Sequence, residues 1–221
     1  MTDDKEHFSM VLAATVHDIK NALSIISQQL SEMVLENQNS PKVALLQHEV
    51  NRMNGMLIQL LTMYKHDKGQ LPVQMGFVNV NDFIDEQLYA FEIPLNHAGI
   101  SIQVDVDEEL EWYFDESLLG VLISNIIGNT IRYAESEIRI SIQESQNQLV
   151  IDIQDDGKGF PEQMLEEQNQ VILGVSSSHS RTGLGLYFAK LITSLHGHDD
   201  KIGTIQLHNN EIGGNFSIVL P

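Results

Sequence analysis

Two long stretches of alternating 3 and 4 spacing open the chain. Leu12, Val16, Ile19, Leu23, Ile26, Leu30 and Met33 form the first, and Val43, Leu46, Val50, Met53, Leu57, Leu60 and Tyr64 the second. Spacing of this kind lays an apolar seam along one face of a helix, as in coiled coils and bundles. The segment between them, Glu36-Asn37-Gln38-Asn39-Ser40-Pro41-Lys42, is a polar turn whose Pro41 suits a first helical position. The pattern predicts a helical hairpin. Two helices alone cannot enclose a seam of this length, so a symmetric dimer closing a four-helix bundle is expected. The alternative is a hairpin packed against the rest of its own chain.

The period ends at His66-Asp67-Lys68-Gly69-Gln70-Leu71-Pro72, where glycine and proline mark a linker. Domain limits are drawn at 1–68 for the hairpin, 69–76 for the linker and 77–221 for a second domain. In that domain Val78-Asn79-Val80 predicts a short strand and residues 81–97 a helix. Ile100, Ile102 and Val104 alternate as a strand, and residues 115–134 read as a helix. Ile138, Ile140 and Ile142, a polar turn at Ser145-Gln146-Asn147, and Leu149, Ile151 and Ile153 predict an antiparallel hairpin. Residues 183–196 are a further helix. Ile205 and Leu207 are expected to pair with Phe216, Ile218 and Leu220 across a glycine-containing turn. The chain as a whole is then α+β: a helical hairpin followed by an α/β sandwich, with helices on one face of a mostly antiparallel sheet.

Composition narrows the partners. Of 221 residues 42% are hydrophobic, enough for a packed core, and there is no cysteine, so disulfides and thiolate metal sites are excluded. No apolar run reaches the about 18 residues that a membrane span needs. Met1-Thr2-Asp3-Asp4-Lys5-Glu6 is polar and acidic, unlike a secretory signal. A soluble cytoplasmic protein without direct membrane insertion is expected. The net charge of −19 disfavours nucleic acid and anionic lipid. The charge is uneven: residues 1–68 hold eight acids and six bases, and residues 69–221 hold 23 acids and six bases. Four of those last six bases, Arg132, Lys158, Arg181 and Lys190, fall within the segments that carry chemistry.

Those segments are four. By period 2, the strand ending Leu149, Ile151, Ile153 brings Asp155 onto the same face, where a carboxylate needs a partner. Asp156-Gly157-Lys158-Gly159 then turns with two glycines that let a ligand approach the backbone. Asp155 can accept a hydrogen bond from an exocyclic amine such as that of adenine; the plainer reading is an Asp-Gly turn. Arg181-Thr182-Gly183-Leu184-Gly185-Leu186 opens an apolar helix, and free amides at a helix start bind phosphate. Asn125, Asn129 and Arg132 share one helix face at spacings of four and three. Amide oxygens beside a guanidinium suit magnesium and a triphosphate, although a solvated polar face has the same pattern. On the first helix His17 stands beside Val16 at the seam's edge, with Asp18 next and Asn21 one turn on.

Taken in order, these segments resemble the sensor histidine kinases, whose nucleotide domain belongs to the gyrase, Hsp90, histidine kinase and MutL ATPase superfamily. The resemblance runs from about residue 8 to residue 221. His17-Asp18-Ile19-Lys20-Asn21 is similar to the H box and Asn125-Ile126-Ile127-Gly128-Asn129-Thr130-Ile131-Arg132-Tyr133-Ala134 to the N box. Asp155-Asp156-Gly157-Lys158-Gly159 is similar to the first glycine box and Thr182-Gly183-Leu184-Gly185-Leu186 to the second.

The resemblance implies ATP and Mg2+ as cofactors and autophosphorylation of His17, with Asp18 orienting the imidazole and accepting its proton. Asn125 and Asn129 would hold magnesium and phosphates, Arg132 would contact phosphate in place of the usual lysine, and Tyr133 would pack on adenine. Asp155 would bind the adenine amine, Gly157, Gly159, Gly183 and Gly185 would shape the loops, and Leu184 and Arg181 belong to the second glycine box. Residues 158–182 would form the lid. A homodimer, a response-regulator receiver domain as acceptor, and a separate sensor domain or protein as input are the implied partners, and Asn21 implies a phosphatase role. Three positions depart from the pattern: Ala22 stands where proline is common after the H box, no phenylalanine box is recognisable in the lid, and Arg181 stands where glycine is common. There are two alternatives, the first with the same architecture and the second from the same superfamily. One is a histidine phosphotransferase adaptor with a non-catalytic ATPase-like domain; the other is a serine kinase or mechanical ATPase.

Overall fold

The computed structural model describes residues 19, 21–28, 41–172, 181–197 and 200–221. The chain divides into two compact units, Met1–Leu71 and Pro72–Pro221.

In the first unit residues 21–28 are helical (α1), and a 27-residue helix runs over Pro41–Asp67 (α2). Leu23 and Val50 bury each other with Leu57 packed against them, and Ser27 Oγ donates to Asn51 Oδ1 at 3.2 Å. The two helices therefore touch at positions of the predicted seam. Other seam residues, Ile19, Ile26, Leu46, Met53 and Leu60, remain exposed within the single chain. The seam positions Leu12, Val16, Leu30 and Met33 lie outside the described residues. α2 stops where Gly69 takes φ +63, with Gly69 N donating to His66 O and Gln70 N to Lys65 O. This is a left-handed glycine closing a helix.

The second unit holds two sheets. β1 (Gly76–Asn79) pairs antiparallel with β3 (Glu111–Phe114). The larger sheet has the order β2-β4-β5-β7-β6, built from β2 (Ser101–Asp105), β4 (Glu137–Ser145), β5 (Gln148–Asp155), β6 (Thr204–Asn209) and β7 (Gly214–Leu220). β2 lies parallel to β4 and every other neighbour is antiparallel. The predicted β4–β5 hairpin turns at Gln146 and Asn147, both at positive φ, the twist that a two-residue connection requires.

Register explains the core. Ile140, Ile153, Phe216 and Leu207 stand in one cross-strand row, and Ile142, Ile151, Ile218 and Ile205 in the next; all are buried. Against this face lie α5 (Glu116–Tyr133) and α7 (Arg181–Leu195). α3 (Val80–Tyr89) packs on α5, and Phe83 meets Phe114 edge-on at 5.1 Å. α6 (Glu162–Ile172) borders α7 and the free edge of β6, where Gln168 exchanges two hydrogen bonds with the backbone of Leu207.

Several elements differ from the pattern reading. Val80 starts α3 instead of ending a strand, because Asn79 caps the helix by accepting from Asp82 N. Gly76, at the end of the predicted linker, is the first residue of β1. The helix expected over 81–97 breaks at Ala90 and Phe91 and restarts as α4 (Glu92–Ala98). Pro94 is the reason: its ring would clash with the carbonyl of Ala90 in a continuous helix. β3 was absent from the sequence reading altogether.

A close approach between α7 and the entry to β6 ties the helices to the sheet edge. A methyl group at Gly203 would run into the Thr193 carbonyl and reach Leu220. Gly203→Ala is expected to cost about 1–3 kcal/mol, as overpacking does. In urea unfolding the midpoint should fall with the slope unchanged; an unaltered midpoint would mean that this contact is soft.

Candidate functional site

Asp155 is the last residue of β5 and stands opposite Ile138 in the register, so its carboxylate points to the core side of the sheet. It is 8% exposed. Its Oδ1 accepts from Gly157 N at 2.9 Å, and the Gly214 amide donates to the same carboxylate. Burial nevertheless pushes its pKa up, outweighing those amides. The native state therefore holds this proton more tightly than the unfolded chain does. The stability this proton contributes is present below the ordinary carboxylate pKa and is lost as pH rises through the raised one. A buried anion of this kind is stabilised by any further donor that reaches it.

The turn after Asp155 is shaped by close backbone contact. A Cβ at Gly157 would collide with the carbonyl of Tyr133 at the end of α5, and one at Gly213 would collide with the carbonyl of Asp155. Gly159 has φ +74. Beside it Asn209 clasps Phe160, accepting from its N–H at 2.7 Å and donating to its carbonyl at 2.8 Å. Asp156 faces the other way. Its carboxylate accepts from the hydroxyl and amide of Ser136 and from the Glu135 amide, which hold it well below the usual carboxylate range. Its contribution to stability is present above the ordinary carboxylate pKa and is lost as pH falls through its lowered one. Asp156 is thus a structural residue that fastens the α5–β4 connection to the turn.

The turn meets the asparagine helix at Tyr133. On α5, Asn129 Nδ2 donates to Asn125 Oδ1 at 3.2 Å, so the two amides form one row. Asn125 is half-buried and Asn129 exposed. Arg132 lies over the Tyr133 ring, 5.6 Å from its centre, and that ring is 64% exposed. α5 can carry polar groups here because its opposite face, through Leu119, Leu122, Ile123, Ile126 and Ile127, is buried.

Gly183, Leu184 and Gly185 fall in the first turns of α7, as expected for amides at a helix start. Among the described residues, no atom apart from its chain neighbours and its own helix backbone lies within 4 Å of a Cβ built on Gly185. Packing thus requires Gly157 and, among the described residues, does not require Gly185. The side chains of Arg181 and Leu184 lie outside the described residues, as do residues 173–180 of the predicted lid. His17 and Asp18 lie outside them too; Asn21 is an exposed residue of α1. Sequence reading missed Asn209, Gly213 and Gly214, which brace the turn from β6 and β7. The Gly213-Gly214 pair was the available signal.

The profile of the family described as "Histidine kinase-, DNA gyrase B-, and HSP90-like ATPase" matches residues 114–221, from the end of β3 to the C-terminal strand. Residues 114–221, just under half of the chain, are thus similar to an ATPase domain of that family. Signal transduction histidine-protein kinase AfsQ2 of Streptomyces coelicolor is 28% identical over 186 residues, covering 82% of this chain and 33% of its own. Heme sensor protein HssS of Staphylococcus aureus is 28% identical over 227 residues, covering 98% of this chain and 47% of its own. The chain thus spans a third to about half the length of these relatives. Among solved structures, histidine kinase AdeS of Acinetobacter baumannii superposes with a TM-score of 0.61 at 19% identity, over 92% of this chain and 96% of that one. The catalytic domain of histidine kinase ThkA gives 0.57 at 22% identity, over 67% and 95%. These structural likenesses carry the fold.

The residues of the ATPase domain suit a magnesium nucleotide. Asparagine oxygens are hard donors of the kind magnesium takes, Arg132 suits a phosphate, and Asp155 offers an acceptor whose charge lacks full compensation. Asp155→Asn replaces an acceptor oxygen with a donor. A hydrogen bond to a charged group is worth roughly 1.5–3 kcal/mol, so ATP affinity should fall about ten- to a hundredfold in calorimetry. Unchanged affinity would place the adenine elsewhere.

Proposed function

We propose that this chain is a histidine kinase transmitter core that phosphorylates its own His17 from Mg2+-ATP and passes the phosphoryl group to an aspartate of a response-regulator receiver domain. The single observation that carries the nucleotide half is the convergence of Asp155, Gly157 and Tyr133. There a buried carboxylate, a packed glycine turn and the asparagine helix meet at one point of the ATPase domain. The named histidine kinases among the relatives support the same reading.

ATP supplies the γ-phosphoryl group, and the chain's residues orient it and neutralise its charge. Asn125 and Asn129 would hold magnesium and phosphate oxygens, Arg132 and the free amides at the start of α7, where Gly183, Leu184 and Gly185 lie, would take phosphate charge, and Arg181 would add a cation at the same helix start. Tyr133 covers the adenine face and Asp155 accepts from its amine. Catalysis of phosphoryl transfer is mostly this positioning and charge neutralisation. A ring nitrogen of His17 forms the new P–N bond as the bond to the ADP oxygen breaks, and Asp18 takes the imidazole proton. The P–N bond then breaks as the regulator's carboxylate oxygen binds phosphorus, and the proton held by Asp18 returns to the ring, leaving the histidine neutral.

Residues 1–68 act as the dimerising and phosphate-accepting part, residues 69–76 as linker and residues 77–221 as the catalytic part. Homodimerisation is supported by the seam residues of α1 and α2 that a single chain leaves exposed. The weak net charge of residues 1–68 suits docking of a regulator better than the acidic remainder does. The working location is the cytoplasm, with the signal delivered by a separate sensor domain or protein. Among the described residues no helix is long and apolar enough to cross a membrane.

With labelled ATP and magnesium the chain should gain a phosphate that is acid-labile and base-stable. His17→Ala should abolish it while nucleotide binding persists; label retained in that variant would put the phosphoryl site on another residue. Asn21 offers both a donor and an acceptor one helical turn from His17. It is assigned to orient the water that hydrolyses the regulator's phosphoaspartate, whose acyl phosphate needs no general base. Asn21→Ala should preserve labelling and transfer yet slow the regulator's dephosphorylation. Equal rates in wild type and variant would remove this role.

A further inference from the structure

His196 follows the last residue of α7 and is 2% exposed. Both of its ring nitrogens meet backbone. Nδ1 lies 2.7 Å from the Ile192 carbonyl, one turn back in α7, and Nε2 lies 3.1 Å from Asp115 N. A carbonyl can only accept and an amide can only donate, so the partners fix the ring as neutral, with its proton on Nδ1 and a lone pair on Nε2. Asp115 is equally committed. It is 3% exposed and caps α5, with Oδ1 accepting from Leu118 N at 2.9 Å and Oδ2 accepting from Gln74 N. The imidazole is thereby a bridge between the C-terminal end of α7 and the N-terminal end of α5.

Each helix carries its nucleotide-site residues at the end remote from this bridge. Asn125, Asn129 and Arg132 lie in the C-terminal half of α5, and Gly183 and Gly185 in the first turns of α7. The helices pack on each other. Joined N-end to C-end, they extend the same way from the joint and run in opposite senses. α7, at 15 residues, is about 22 Å long and α5, at 18, about 27 Å. A small change of angle at the joint is therefore magnified at the phosphate end.

We infer that His196 is a positioning residue for the nucleotide site, holding the α7 amides at the separation from the α5 asparagines that a nucleotide's phosphates require. The inference rests on the ATP-binding reading of this domain. It concerns the phosphate side of the site. Asp155 belongs to the sheet and meets α5 through the Gly157–Tyr133 contact, so the adenine side does not depend on the bridge.

The test compares two probes, Mg2+-ADP and adenosine, on the full chain carrying His196→Leu, His196→Asn or His196→Gln. Leu has no acceptor, Asn is too short to reach Asp115 N, and Gln presents an oxygen near the position of Nε2. In the folded Leu or Asn protein, Mg2+-ADP affinity should fall about tenfold, the scale of a misplaced binding group. Adenosine affinity should stay within about twofold, as expected for an uncoupled site. Gln should recover most of the loss. A role in folding alone would lower the melting temperature and leave the ratio of the two affinities unchanged, which overturns the inference. Nitrogen-15 spectra of the wild-type imidazole need no variant: a proton on Nδ1 supports the bridge and a proton on Nε2 overturns it. Wild-type protein that binds neither probe defeats the nucleotide reading itself, and this inference with it.

Discussion

A carboxylate on the core face of a sheet is the constraint around which the second unit is arranged. Asp155 occupies the strand position where the alternation of Leu149, Ile151 and Ile153 calls for an apolar side chain. Its environment meets that demand with backbone. Gly157 folds back to donate, Gly214 donates from β7, and Gly213 passes so close that only glycine fits. The turn they make is held from β6 by Asn209 and from the α5–β4 connection by Asp156. Even so, burial outweighs the amides and the carboxyl stays raised. The molecule carries a charge that is cheaper to hold once a donor sits against it, which is a property of a binding site and a cost to a core.

The glycines of the second unit are not all required for the same reason. Gly157, Gly213 and Gly203 are required because backbone lies where a side chain would go. Among the described residues Gly185, in the second turn of α7, meets no such atom. The same contrast holds for the two adjacent acids. Asp156 spends its charge on Ser136 and Glu135 and stays deprotonated, while Asp155 keeps unspent accepting capacity.

Much of this was legible before the structure. Period 2 put Asp155 on the buried face, the β4–β5 hairpin turned at the predicted residues, and Ile205 and Leu207 met Ile218 and Phe216 as expected. These readings worked because local alternation alone decides which face a strand residue takes. What failed depended on information outside a short window. The break of the 81–97 helix comes from Pro94 acting on Ala90, which the apolar pattern of the segment does not register. β3 is four residues long and is stabilised by pairing with β1, more than thirty positions away. The clasp of Asn209 on Phe160 spans 49 positions and leaves no periodic trace. Exposed Phe77 and Tyr113 stand opposite each other in the β1–β3 register with tilted rings 5.1 Å apart, a contact that exists only once β3 is paired.

The central claim is that nucleotide binds where the Asp155 turn, the α5 asparagine row and the start of α7 come together. Amide chemical-shift mapping of the chain during titration with Mg2+-ADP tests it most directly. The account predicts that Gly157, Asn125, Asn129 and Gly185 shift together and saturate at one concentration, while Asp152, Asn215 and Ser217 on the opposite face of the sheet stay in place. Shifts confined to that opposite face, or none at saturating nucleotide, would contradict it.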